Sequence, residues 1–86
     1  MNLKNKKVVI TGATGGIGNS LVKKFVEGGC IVLATGTKEE KLNNLKSKFS
    51  ELHIEKFNLG EHSKIESFIE LANNKLGGLD ILINNA

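Results

Sequence analysis

The chain has 86 residues, 40% hydrophobic and 24% charged, with no proline, tyrosine or tryptophan and a formal charge of +3. That length allows one domain, residues 1–86, burying only somewhat more than ~60% of its unfolded surface, and no apolar run approaches the ~18 residues of a membrane span. All twelve basic residues are lysines scattered along the chain and the aromatics are four Phe, unlike the clustered Arg and Lys with interleaved aromatics of nucleic-acid readers.

The opening "MNLKNKKVVI" has lysines but only a short apolar stretch, which meets glycine instead of a cleavage site, so it reads as the start of a strand and not as a targeting signal. The first strand is "KVVIT" (7–11), followed by the glycine loop "TGATGGIG" (11–18). A helix then follows with Ile17, Leu21 and Phe25 at i, i+4, i+8, and "EGG" at 27–29 stops it. The second strand, "CIVLAT" (30–35), begins at the only cysteine; Cys30 reads as a small core residue, and neither an intrachain disulfide nor a CxxC site is possible. A reducing cytoplasm fits that usage.

The second helix spans 38–49 with Leu42, Leu45 and Phe49 as its stripe. The third strand, "HIEKFN" (53–58), alternates polar and apolar residues and is placed near an edge. His53 and His62 have no partner at ligand spacing, so they read as surface residues and no metal site is expected. The third helix (62–76) carries Ile65, Phe68, Ile69, Ala72 and Leu76, with Ser63 and Glu66 at capping-box spacing and "GG" at 77–78 closing it. The fourth strand is "LDILIN" (79–84). The first, second and fourth runs are almost continuously apolar, as strands buried on both faces of a parallel sheet are.

The order βαβαβαβ predicts an α/β fold with a Rossmann-type doubly wound parallel sheet. Right-handed crossovers place two helices on one face and one on the other, giving strand order 3-2-1-4. The three-layer α/β/α arrangement is then incomplete, with an apolar fourth strand at an open edge. The expectation is the first half of a larger fold.

A glycine loop between a parallel strand and a helix sets unpaired backbone N–H groups at the positive end of that helix, a phosphate-binding arrangement. Two other patterns are absent: GxxxxGK[ST], and GxGxxG, since the glycines stand at Gly12, Gly16 and Gly18. The spacing is TGxxxGxG. A plain β-to-α turn is the alternative.

With "NNA" directly after "LDILI", this loop resembles the short-chain dehydrogenase/reductase family, whose signatures are TGxxxGIG and NNAG. Asn-Asn also occurs at 43 and 73 as helix surface, so the position of Asn84 and Asn85 after the fourth strand makes them informative. Within the family, "MNLKNKKVVITGATGGIG", "LATGTKEEKL", "KFNLGEHSKIESFI" and "LGGLDILINNA" are similar to bacterial 3-oxoacyl-[acyl-carrier-protein] reductases of fatty acid biosynthesis.

The resemblance implies an NAD(P)-binding domain in which Gly12, Ala13, Thr14, Gly15 and Ile17 line the pyrophosphate and adenosine ribose. Gly16 and Gly18 would permit close helix packing. It further implies that Asn58 and Leu59 hold the adenine and that Asn85 meets the ribose region and steadies the central strand. A turn role for Asn58 is the alternative, since many members have Asp there.

An NAD-preferring site has an acid at the end of the second strand. Here "ATGTK" has none until Glu39. Thr37 and Lys38 therefore point to the 2′-phosphate of NADP(H), while Gly15 stands where NADP-dependent relatives often have a base, and no Arg exists to form a clamp; NAD(H) stays open.

The family's catalytic Tyr lies in a later YxxxK motif, and this sequence has no Tyr. No catalytic residue is assigned and the chain alone is expected to be inactive. The resemblance implies the N-terminal part of an NADPH-dependent oxidoreductase that transfers hydride to a 3-keto thioester on acyl carrier protein, homotetrameric when complete, with no nucleic-acid or membrane partner. The alternatives are a short-chain reductase for another ketone or alcohol, or a non-catalytic dinucleotide-binding module.

Overall fold

The structure, a computed structural model, describes residues 3–58 and 64–85. In chain order the elements are β1 (Lys7–Thr11), α1 (Gly16–Glu27), β2 (Ile31–Gly36), α2 (Glu39–Lys48), β3 (His53–Lys56), α3 (Ile65–Leu76) and β4 (Ile81–Asn84). The four strands form one parallel sheet in the order β3-β2-β1-β4. The expected Rossmann-type topology is the observed one.

Alternation along the central strands builds two cores. Val8, Ile10, Val32 and Ala34 face one way and pack with Val22 of α1 and Leu42 and Leu45 of α2. Val9 and Leu33 face the other way and meet Phe68, Ala72 and Leu76 of α3. The Phe57 and Phe68 rings stack with centroids 4.3 Å apart, fixing the end of β3 to α3.

Strand ends differ from the expected ones for backbone reasons. The Cys30 N–H donates to the Phe25 carbonyl at 3.0 Å, finishing α1, so β2 starts one residue later, where the Ile31 N–H reaches the Lys6 carbonyl. Cys30 is half-buried and its Sγ donates to the Leu3 carbonyl at 3.2 Å; burial pushes its thiol pKa up. β4 starts after Asp80, whose carboxylate and N–H bond the backbone N–H and carbonyl of Lys7, each at 2.8 Å. Past Lys56, the Phe57 N–H makes one bond to the Gly36 carbonyl, where β2 ends.

Two expectations about packing are corrected. Ile17 is 71% exposed and does not belong to the buried stripe of α1, which runs through Gly18, Leu21, Val22, Phe25 and Val26. β4 is not buried on both faces: Ile81 and Ile83 pack on the α1 side, while Leu82 is 50% exposed because α3 lies toward β2 instead.

α3 stops as expected, with Gly77 left-handed at φ 75° and its carbonyl accepting from Lys7 Nζ at 2.9 Å. At its start Lys64 is the N-cap residue, with no side-chain cap bond; Ser63, the expected cap, and His62 lie outside the described residues. Among the described residues, no helix is long and apolar enough to cross a membrane and no group of His, Cys, Asp and Glu could hold a metal.

His53, expected at the surface, is half-buried in β3, and burial together with the Lys75 and Lys46 charges pushes its pKa below the ordinary 6.5. The unfolded chain therefore takes up this proton more readily than the folded one. Stability is expected to fall as the pH drops through about 6.5 and, for this group, to level off below the lower folded pKa. Urea unfolding of wild type and His53→Gln between about pH 8 and pH 5 checks it, since the variant lacks that part of the dependence.

Candidate functional site

The glycine loop leaves the C-terminal end of β1 and opens α1. Gly12 takes φ 60°, a left-handed conformation that only glycine adopts cheaply. From there the Ala13 N–H donates to the Thr35 carbonyl at 3.0 Å, pinning the loop across the top of β2. Ala13 is fully buried, so its side chain belongs to the core and its amide to the sheet.

The remaining glycines have separate tasks. A Cβ at Gly18 would lie 2.3 Å from the Gly12 carbonyl oxygen and 2.7 Å from Ala13 Cα, so α1 abuts the loop only because that position is bare. A Cβ at Gly16 would meet nothing within 4 Å, which removes the packing role expected of it and leaves open space at the mouth of the helix. Gly15 is the N-cap at φ −79°, a conformation open to other residues. Gly36 lies under Thr14, whose Cγ2 would be 3.2 Å from a Cβ placed there.

Asn19, which the sequence reading passed over, organises the carbonyls of this loop. Its Nδ2 lies 3.4, 3.2 and 3.0 Å from the Ala13, Thr14 and Gly15 carbonyl oxygens. Oxygens engaged this way are taken from the loop's outer surface, while the first N–H groups of α1 have no intrahelical acceptor. Bared backbone N–H groups at a helix start are suited to holding an anion. The only signal in the sequence was an Asn early in a helix, where its propensity is poor.

Thr11 closes the other side. Its hydroxyl accepts the Asn85 N–H at 3.0 Å and has Asn84 Oδ1 at 3.0 Å and the Ile83 carbonyl at 3.3 Å as acceptors for its one proton. Asn85 Nδ2 then donates to the Gly12 carbonyl at 3.3 Å. Thus the end of β4 is tied to the glycine loop through the buried Thr11 hydroxyl and the Asn85 side-chain amide. Thr11→Val is expected to cost about 1–3 kcal/mol, because the Asn85 N–H loses its acceptor, whereas Thr11→Ser stays closer to wild type. Chemical denaturation of the two variants checks this.

Further along the same sheet edge, Thr37, Lys56, Phe57, Asn58 and Lys64 line one hollow at the ends of β2 and β3. Thr37 and Asn58 are thereby brought together; Lys38 is exposed at the N-cap of α2, and Leu59 lies outside the described residues. Ile17 stands exposed at the first turn of α1, beside the open space at Gly16. Lys56 and Phe57 were read only as strand residues. A dinucleotide fits this layout: an open backbone cradle for its pyrophosphate at β1, and a polar hollow further along the strand ends.

Residues 6–86 match the family described as short chain dehydrogenase. A 3alpha-hydroxysteroid dehydrogenase of Mediterraneibacter gnavus is 34% identical over 92 aligned residues, covering 100% of this chain and 37% of that protein. The NADP-dependent 3-hydroxy acid dehydrogenase YdfG of Escherichia coli is 34% identical over 80 residues, 92% of this chain and 32% of that one. Among solved structures, a short chain dehydrogenase from Bacillus anthracis superposes with a TM-score of 0.88 at 32% identity, covering 100% of this chain and 36% of its own. A 3-ketoacyl-(acyl-carrier-protein) reductase from Brucella melitensis, complexed with NADH, gives 0.84 at 25% identity over 93% and 33%. The chain spans about a third of the length of these relatives. With its strand order, glycine spacing and β4 terminus all in place, it belongs to the short-chain dehydrogenase family.

Proposed function

We propose that this chain is the cofactor-binding N-terminal part of an NADPH-dependent 3-oxoacyl-[acyl-carrier-protein] reductase. The observation that carries the reading is the backbone cradle at Gly12–Gly18, open at Gly16 and cleared of carbonyls by Asn19. In this reading Gly12, Ala13, Thr14, Gly15, Gly16, Ile17 and Gly18 enclose the pyrophosphate and adjoining ribose, Ala13 as scaffold, and Asn85 steadies the ribose side from β4. Asn58 and Leu59 hold the adenine, and Thr37 and Lys38 receive the 2′-phosphate. The bound nicotinamide would supply the hydride; this chain's residues would bind and orient it. The protonating tyrosine of the family has no counterpart among these 86 residues, which contain no Tyr.

Preference for NADP(H) over NAD(H) is supported by the absence of an acid at the end of β2, where a carboxylate would bond a 2′-hydroxyl and repel a 2′-phosphate and where "ATGTK" has none until Glu39. The thioester substrate is supported by the sequence stretches shared with 3-oxoacyl-carrier reductases and by the Brucella likeness. The hydroxysteroid and 3-hydroxy acid dehydrogenases among the relatives favour a second reading, a reductase of the same family acting on another ketone or alcohol. The complete protein, in a soluble compartment and as a homotetramer, would do this chemistry.

The test is an assay of the complete protein with an acetoacetyl thioester, with free ketones and alcohols as the comparison set. NADPH oxidation fastest with the thioester is expected. Turnover confined to a steroid or a free hydroxy acid would replace the first reading with the second.

A further inference from the structure

The hollow at the ends of β2 and β3 contains a cation that the reading above leaves without a task. Lys56 closes β3 in register with Gly36, the last residue of β2, so its Cα lies beside the step that leads into Thr37. Its neighbour Glu55 pairs with Lys75 of α3 at 3.4 Å and lines, with Lys56, Phe57 and Lys64, the adjoining hollow on the α3 side. Alternation along the strand sends Lys56 to the other face, the one where Gly36 meets Thr14 and Leu42. Among the described residues the Lys56 ammonium has no hydrogen-bond or ion-pair partner, and no carboxylate lines the hollow that it shares with Thr37, Asn58 and Lys64. Gly15 has no side chain and the chain has no Arg, so any cation here is a lysine: Lys38 at the start of α2, and Lys56 and Lys64 lining the hollow.

We infer that Lys56, reaching from the end of β3, adds to Lys38 a second charge that selects a 2′-phosphorylated adenine dinucleotide, with the Thr37 hydroxyl as its partner in the same hollow. The inference rests on the dinucleotide reading above and adds to it a specificity-determining residue on a different strand. An ammonium is a point charge without fixed fork geometry, so it can meet a phosphate from a neighbouring strand where a bidentate guanidinium is absent.

The test is fluorescence titration of the full chain with NADPH and with NADH, for wild type, Lys56→Gln and Lys56→Arg, with 2′,5′-ADP and 5′-AMP as competing probes. Lys56 is exposed, so circular dichroism and thermal unfolding of both variants should match wild type. Lys56→Gln is expected to weaken NADPH and 2′,5′-ADP about tenfold while NADH and 5′-AMP stay within about twofold, and Lys56→Arg to retain the preference. Lys56→Gln binding NADPH as wild type does would overturn the inference and leave the dinucleotide reading standing. Wild type binding neither dinucleotide would overturn that reading itself.

Discussion

Gly18→Ala is expected to destabilise the chain by about 3 kcal/mol and to abolish dinucleotide binding. Alanine is the better helix former by roughly 1 kcal/mol, so on propensity alone the change should help. The geometry reverses the sign. The new methyl would stand 2.3 Å from the Gly12 oxygen and 2.8 Å from the Ala13 carbonyl carbon, both backbone atoms held by their own constraints. Gly12 is committed to φ 60° and Ala13 to its bond with Thr35, so neither yields without opening the seam between loop and helix. For a domain of this size, whose stability is on the order of 5–10 kcal/mol at most, that is a large loss. Gly16→Ala, two residues earlier, meets no atom and should be neutral or slightly stabilising. Urea denaturation of the pair distinguishes a seam that depends on one glycine from a loop that is uniformly intolerant.

Leu33→Ala carries the second large effect, about 2–5 kcal/mol. Leu33 is fully buried in β2 between Val9 and the side chains of α3, so truncation leaves a cavity that a parallel ladder cannot collapse to fill. Leu82→Ala removes the same atoms from a strand that reads alike in sequence. At half exposure on the edge strand it should cost less than about 1 kcal/mol. Comparable losses at the two positions would mean that α3 covers β4 after all. Denaturant midpoints at constant m-value give the comparison.

Those two leucines mark how far the fold was legible. The order of strand and helix periods, with right-handed crossovers and a third crossover that reverses direction, led to β3-β2-β1-β4. Coverage was harder to read. A run such as "ILIN" looks the same whether one face or both are covered, because apolar content does not say where the crossing helix comes to rest. Ile17 misled for a related reason: it continues the i, i+4 spacing of Leu21 and Phe25, but the bare Gly18 brings the loop so close that the first turn of α1 looks outward.

The site divides similarly. Glycine spacing displayed the cradle, since a missing Cβ is visible in a sequence. Thr11 was hidden because a hydrogen bond across 73 residues, such as Thr11 to Asn84, leaves no local pattern, and Asn19 because its bonds to carbonyls four to six residues back look in sequence like any polar residue early in a helix. Lys56 was hidden in a third way. A lysine at the end of an alternating edge strand reads as solvated charge until the sheet sets it beside Gly36 and Thr37.

The central claim is that "TGATGGIG" is a wall of a dinucleotide pyrophosphate site. Its most direct test is a fluorescence titration with NADPH of wild type and Gly16→Leu, run beside their thermal unfolding. Beyond the adjoining residues and the helix's own backbone, no atom lies within 4 Å of the new Cβ, so the fold should survive while the ligand's place is taken. Saturable binding by wild type, with equal melting but at least about tenfold weaker binding by the variant, is the predicted result. Equal affinity for the two proteins, or no binding by wild type, would contradict it.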